Sequence, residues 1–281
     1  MGVFLFPLLQ SAMTCRFGDM KPMLCTTYAG DLPSSSVIVE PKLDGIRVVA
    51  EINRVLGTVR FLTRNGKEIA SLSHLASEVR AFADSLGLND RSFCLDGEAV
   101  CGDFFDGIGA LRSKKPAKSA VIYFFDVFSR LMMIEGLSLS ARKAILKDGI
   151  ESDSVRIIHG SPMEGDVKAA YESARQDGYE GIVLKDLNSK YEPGERSDAW
   201  VKVKASETAD CRVVLIDGCS LVVDFEGRPV RVGSGIPAKV IEAMRNTPKA
   251  IIGTMVEVAY QEVTPSGSMR HPAFKRFRCD K

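Results

Sequence analysis

The chain has 281 residues, room for two domains of ordinary size. Its 45% hydrophobic and 26% charged residues exclude wholesale disorder and collagen-like or low-complexity architecture. With 37 basic against 36 acidic residues the net charge is +1, so no global bias marks a nucleic-acid binder and the distribution of charge becomes the question. Residues 1–15 are apolar, but Lys or Arg first occurs at Arg16, so the basic start of a secretory signal is missing. The run is interrupted by Pro7 and is shorter than the ~20 apolar residues of a membrane span. Phe6 stands where myristoylation requires Ser or Thr. Residues 1–20 are therefore expected to be a disordered extension, with an atypical export signal as the minor alternative. The seven cysteines form no C-x-x-C pair, which disfavours a zinc ribbon or redox motif and fits reduced thiols in a cytoplasmic protein. His74, His159 and His271 are far apart, which disfavours a histidine metal site or a Ser-His-Asp triad.

Taken in order, residues 36–40 and 46–51 are β-branched runs on either side of an Asp44-Gly45 turn, and 59–63 is a third strand closed by Asn65-Gly66. Leu75, Val79, Phe82 and Leu86 have helical spacing, a stripe that core packing explains. Strands are predicted again at 93–101 and 121–128, the second apolar enough to be buried on both faces. Between them, 111–120 carries Arg112, Lys114, Lys115 and Lys118 around Pro116, either a solvated loop or a phosphate-contacting one. Helices are predicted at 141–147 and 167–174, then strands at 180–185 and 200–204. After about Ala209 the texture becomes strand-rich: 211–223, 229–232 and 254–263, with one helix at 237–246. In the last strand Val256, Val258 and Tyr260 alternate with Glu257, Ala259 and Gln261, a half-buried pattern. Several strands and one helix in this length suit a small β-barrel such as an OB-fold. The expected domains are 21–208 and 209–281.

Lys42 lies in Glu40-Pro41-Lys42-Leu43-Asp44-Gly45-Ile46-Arg47, between apolar runs where an idle ammonium is poorly placed. A lysine can attack phosphorus as the neutral amine, which burial or a neighbouring cation favours. Lys202 and Lys204 are two apart, so in a strand they share a face opposite Val201 and Val203. Five further segments follow in order: Arg64-Asn65-Gly66, Asp96-Gly97-Glu98, Phe124-Phe125-Asp126, Glu180-Gly181-Ile182-Val183-Leu184-Lys185, and Trp200-Val201-Lys202-Val203-Lys204. This series resembles the motifs of the covalent nucleotidyl-lysine enzymes: DNA ligases, RNA ligases and mRNA-capping guanylyltransferases. The ending QEVTPSGSMRHPAFKRFRCDK, with Tyr191–Ser197 and Lys21-Pro22-Met23-Leu24, is similar to small phage-type ATP-dependent DNA ligases. The resemblance runs from about residue 21 to the end.

The resemblance implies an α+β fold, a nucleotidyltransferase (adenylation) domain of antiparallel sheets and flanking helices followed by an OB-fold barrel. It implies nick sealing in duplex DNA with ATP and Mg²⁺ or Mn²⁺, by a monomeric cytoplasmic enzyme without membrane attachment. By the same resemblance Lys42 is the nucleophile and Glu40 reads the adenine amino group. Arg47 and Arg64 hold phosphate or ribose and the nick, Glu98 contacts the ribose, and Phe125 stacks on adenine. Glu180 binds the metal, Lys202 and Lys204 grip the α-phosphate, and Arg278 and Lys281, with Asp280, orient the pyrophosphate. A GTP-using capping enzyme would share Lys42, Glu98, Glu180 and the lysine pair but not the RHP-x-F ending. An RNA ligase usually lacks the OB ending, and an NAD-dependent ligase carries extra modules for which neither the forty-one residues before Lys42 nor the cysteines allow. A nucleotidyltransferase fold that only binds nucleic-acid ends is disfavoured by the joint presence of Lys42, Glu98, Glu180, Lys202 and Lys204.

Overall fold

The structure is a computed structural model that describes residues 21–89, 91–102, 104–129, 134–204, 207–264 and 266–278. The expected extension at 1–20, and Asp280 and Lys281, lie outside the described residues. The chain divides into two compact units, Met1–Val203 and Lys204–Lys281.

In the first unit the elements run β1 (Leu24–Thr27), β2 (Val37–Lys42), β3 (Ile46–Asn53), β4 (Thr58–Thr63), α1 (Ala76–Ser85), β5 (Ser92–Cys101), α2 (Phe104–Arg112) and β6 (Ala120–Phe128). They continue with α3 (Leu139–Lys147), β7 (Val155–Ile157), β8 (Ser161–Pro162), α4 (Val167–Gln176), β9 (Gly181–Asp186) and β10 (Arg196–Lys204). Two five-stranded sheets result, ordered β1-β10-β9-β2-β8 and β4-β3-β5-β6-β7. Both are mixed: β1 with β10 and β6 with β7 are parallel, while β3 pairs antiparallel with β4 and β5, and β2 with β8 and β9.

The predicted stripe is the spine of the main core. Leu75, Val79, Phe82 and Leu86 are all buried, and Phe82 stacks on Phe124 of β6 at 5.4 Å between ring centroids. Leu75 itself closes a 3-10 turn, Ala70–Leu75, so the α-helix starts one residue later. The sequence reading missed α2, whose Gly107 and Gly109 argue against a helix. Gly107 is there for close approach: a Cβ would meet the Cys101 carbonyl oxygen of β5 at 1.8 Å. The basic stretch 111–120 follows, anchored by buried Leu111 and Ala117 with Arg112, Lys114, Lys115 and Lys118 exposed.

Buried ion pairs tie the frame, two of them between an arginine and an aspartate. Arg142 of α3 and Asp126 of β6 are fully buried and doubly bonded, Nε to Oδ1 at 2.7 Å and Nη2 to Oδ2 at 3.0 Å. The same guanidinium donates to the carbonyls of Leu137 (2.6 Å) and Ser189 (3.0 Å). The second pair, Arg47 with Asp96, lies in the site described below.

The second unit contains β11 (Glu207–Asp217), β12 (Ser220–Phe225), β13 (Arg228–Val232), α5 (Ala238–Asn246), α6 (Pro248–Ile251), β14 (Met255–Tyr260) and β15 (Ala273–Phe277). Its sheet is ordered β13-β12-β11-β14-β15. Ser234, just beyond β13, bridges in parallel to Ala273 of β15, which brings the two sheet edges together at one point rather than along a continuous barrel seam. Gly235 permits this approach: its φ is +75°, and a Cβ would sit 2.5 Å from the Phe274 carbonyl oxygen. Val223, Val232, Val256, Val258 and Phe274 pack with Met244 of α5 in the core. The alternation predicted for β14 holds at Val256 and Val258 but fails beyond, where Ala259 and Gln261 are buried. There the chain turns back on itself, with Gln261 N–H donating to the Arg270 carbonyl and Arg270 N–H to the Glu262 carbonyl.

Candidate active site

Strand β2 delivers Glu40 and Lys42 to one end of the first sheet, and β9 lies antiparallel beside it with Glu40 opposite Val183 and Lys42 opposite Gly181. This register sets Glu180 next to Lys42. The Glu180 N–H donates to the Lys42 carbonyl at 3.1 Å, and the two side chains form an ion pair, Nζ to Oε2. The Lys42 side chain is 23% exposed and that of Glu180 9%, so the pair sits at a mouth rather than in the core.

A pocket opens beside Lys42. Glu40, Lys42, Arg47, Glu98, Phe125 and Lys202 line it together, drawn from five strands. Cys25, Ile158, Lys185 and Trp200 complete its walls. Strand parity explains the contribution of β10: Trp200 and Lys202 face the pocket, while Val201 packs into the cluster of Ile182 and Leu184. Lys204 ends the same strand, is exposed and is not part of the lining.

Arg47 is fixed before any ligand arrives. It donates to Asp96 through Nε and Nη2, both at 2.6 Å, and to the Met23 carbonyl at 3.1 Å. Tyr191 adds its hydroxyl to the same carboxylate at 2.5 Å and stacks on Phe128 at 4.3 Å. Burial works against the Arg47 charge, but Asp96 more than compensates and holds the guanidinium protonated well above its ordinary range. The guanidinium carbon lies 4.7 Å from the Phe125 ring centroid. Burial pushes Glu98 up to about 7; Arg47 and Lys42 oppose this, while Asp96 and Glu180 add to it. Burial likewise raises the Cys25 thiol, against the pull of Arg47, Lys185, Lys202 and Lys42.

In the pocket wall, Glu40 is 2% exposed and is gripped from two sides. Lys185 Nζ lies 2.6 Å from Oε2, and Lys143 of α3 pairs with Oε1. Neither lysine is among the predicted site residues. Lys185 gave a readable signal, a cation ending an apolar strand, as Lys42 does. Lys143 gave none, because its partner is distant in the chain. Asp96 was also legible in principle as an acid inside an apolar run, whose burial requires a cationic partner.

Arg64 is not in this pocket. It lines an adjoining cleft with Lys67, Arg112 and Lys114, which Arg47 and Glu98 also border. Five cations face two carboxylates there, Glu68 and Glu98, and among the described residues Arg64, Lys67, Arg112 and Lys114 have no ion-pair partner. Arg278 belongs to the second unit, where it is paired with Asp210 at 2.7 Å and Glu257 at 3.7 Å. No group of three His, Cys, Asp or Glu side chains among the described residues could by itself hold a metal ion. No helix among them is long and apolar enough to cross a membrane.

Comparison with known proteins points to one family. The family model of the ATP dependent DNA ligase domain matches residues 22–204, and that of the DNA ligase OB-like domain matches 218–278. The multifunctional non-homologous end joining DNA repair protein LigD of Mycobacterium tuberculosis is 26% identical over 318 residues, covering 95% of this chain and 39% of that protein. A probable DNA ligase of Kineococcus radiotolerans is 36% identical over 199 residues, covering 64% of this chain and 36% of that protein. The chain thus spans about two fifths of the length of these curated relatives. The solved ATP-dependent DNA ligase of bacteriophage T7, in complex with ATP, is similar in fold, with a TM-score of 0.57 at 22% identity over 92% of this chain and 98% of that one.

Proposed function

This chain belongs to the ATP-dependent DNA ligase family, and from that premise we propose that it seals nicks in duplex DNA through an AMP group carried on Lys42. One observation carries the reading: Lys42 opens into a pocket whose walls hold carboxylates, an aromatic ring and cations together. Lys42 attacks the α-phosphorus of ATP as the free amine; an N–P bond forms, the bond to the β-phosphate oxygen breaks, and pyrophosphate leaves. Phe125 offers a ring for the base to stack on, Glu40 accepts from the adenine amino group, and Glu98 accepts from the ribose. Lys202, assisted by Lys204, neutralises the α-phosphate, while Arg278 and Lys281 serve the pyrophosphate.

Lys42 then yields AMP to the 5′-phosphate at the nick, and the 3′-hydroxyl displaces AMP to form the phosphodiester. The cleft of Arg64, Arg112 and Lys114 shares Arg47 and Glu98 with the nucleotide pocket, so a DNA strand laid there brings its phosphate to the adenylate. This gives the basic stretch 111–120 its phosphate-contacting role. Such a substrate places the work in the cytoplasm of a bacterial or phage-infected cell, with one chain sufficing for the chemistry.

Glu180, paired with Lys42, is a hard oxygen ligand, and no group of three His, Cys, Asp or Glu side chains gathers among the described residues, so Mg²⁺ or Mn²⁺ would be shared between Glu180, the phosphates and water. Bound there, it supplies charge neutralisation of the phosphate oxygens.

Incubation with α-labelled ATP tests the proposal. An acid-labile protein–AMP adduct is expected, lost in Lys42→Ala, followed by sealing of nicked duplex DNA. No adduct, or an adduct that survives Lys42→Ala, overturns the reading. Labelling by GTP in place of ATP points to capping chemistry, and sealing of nicked RNA in place of DNA points to an RNA ligase.

A further inference from the structure

Glu40 is the acceptor that the proposed function assigns to the adenine amino group, and the inference here rests on that assignment. Its surroundings are unusual for a buried carboxylate. Two ammonium groups hold it, one on each oxygen: Lys143 Nζ on Oε1 and Lys185 Nζ on Oε2 at 2.6 Å. Glu40 and Lys185 are each 2% exposed, and the Lys143 side chain 11%. Burying three charges is costly, and one cation suffices to neutralise one carboxylate. The neighbouring residue on α3 shows the economical solution, since Arg142 pairs one-to-one with Asp126. A second lysine on Glu40 therefore leaves an excess positive charge that scaffold stability does not require.

Both lysines are themselves held. Lys185 Nζ lies 4.2 Å from the Phe125 ring centroid and 4.0 Å from that of Trp200, between two aromatic pocket walls. Lys143 donates to the Ile158 carbonyl, and Ile158 lines the pocket while Lys143 does not. Lys143 thus acts on the pocket through Glu40 and the Ile158 backbone rather than by lining it. Burial favours its neutral form, and the contact with Glu40 opposes this. The charged groups around Glu40 are Lys185 from β9 and Lys143 from α3, with Asp126 of β6 acting on Lys143.

We propose that Lys143 and Lys185 are positioning residues that clamp Glu40 as an oriented acceptor and thereby set the preference for adenine over guanine nucleotides. An ionised carboxylate only accepts hydrogen bonds. It matches the 6-amino group of adenine and repels the 6-oxo group of guanine. With one ammonium removed, the buried carboxylate loses one of the two contacts that fix it and turns away from the base. Discrimination then falls because the site's buried acceptor is no longer fixed.

The test is self-nucleotidylation of the full chain, comparing kcat/KM for labelled ATP and labelled GTP. Lys143→Met is expected to lower the ATP-to-GTP preference by about tenfold or more, the worth of one charge-assisted hydrogen bond. The loss should fall mainly on KM for ATP, and Lys143→Arg should restore it. Lys185→Met, on the other oxygen, should do the same and decides the matter if Lys143→Met does not fold. In Glu40→Gln the preference should collapse, and adding Lys143→Met should lower it no further. A loss of rate shared equally by ATP and GTP would mean that the lysines serve stability alone and overturns the proposal. If Glu40→Gln retains the preference, the Glu40 assignment fails and the clamp with it. If only Glu40→Gln loses it, the clamp fails and the assignment stands.

Discussion

Glu98 sits where function and stability pull in opposite directions, and Glu98→Gln separates them. In the folded chain burial pushes this carboxyl up to about 7 from an ordinary 4.5. Below the ordinary value the group is protonated in both the folded and unfolded chain and costs nothing. As the pH rises toward 7 the unfolded chain loses the proton while the folded chain keeps it, so stability declines. Above 7 the folded chain ionises as well, and the penalty reaches its full size, roughly 3 kcal/mol for a displacement of this extent. Glutamine has nearly the same shape and no charge, so it removes the penalty. The variant should be more stable than the parent near neutral and alkaline pH. The gain should be about 2–3 kcal/mol larger at about pH 8 than at about pH 5. For a unit of this size that difference corresponds to about 5–10 °C in Tm, read by thermal denaturation of parent and variant side by side at the two pH values. Adduct formation with ATP should fall in the same variant, since an amide is a weaker acceptor than the carboxylate at the ribose. A gain of equal size at both pH values would show that Glu98 is not held protonated by its burial, and the reasoning would fail.

Three further outcomes follow from other parts of the molecule. Adduct formation by the parent should climb with pH through about 7, where Glu98 ionises, and a flat profile there would remove Glu98 from the first step. Arg142→Met leaves Asp126 buried without its cation and should cost about 3–5 kcal/mol in chemical denaturation; less than about 1 kcal/mol would show the pair to be dispensable. Arg64→Ala and Arg112→Ala should each weaken binding to nicked duplex and reduce the slope of log affinity against log salt by about 1, whereas an unchanged slope would take the cleft out of DNA binding.

Much of this was readable from sequence, and what was not has identifiable physical causes. Strands β2, β3, β5, β6 and β9 announced themselves through β-branched and apolar runs, because each fills most of a sheet layer. Strand β8 is two residues long and β7 three, too short for any periodicity. Helix α2 was hidden by glycines that exist to let it approach β5. Within the site, Lys42, Trp200 and Lys202 were legible because local spacing and strand parity place them. The pairings of Glu40 and Arg47 were not: Lys185 and Asp96 stand out as charges in apolar runs, but which residue each meets depends on strand order, and the packing of α3 that brings Lys143 to Glu40 leaves no local pattern. Arg64 carried the residue type of a phosphate ligand, but only the placement of β4 beside the chain following α2 shows that it faces a cleft of its own.

The near-zero net charge can now be resolved into its parts. Residues 1–208 hold 26 basic and 28 acidic residues, and 209–281 hold 11 and 8. Inside the first unit several of these charges are spent on one another: Arg47 on Asp96, Arg142 on Asp126, and Lys143 and Lys185 on Glu40. These pairs set geometry and contribute little field outside. The cations of the Arg64–Lys114 cleft are different, for they are exposed and lack ion-pair partners among the described residues. The field a phosphate backbone meets is therefore set by those few groups rather than by the sum over the chain. An affinity built from so few contacts is modest, and its salt dependence is set by how many of these cations meet a phosphate.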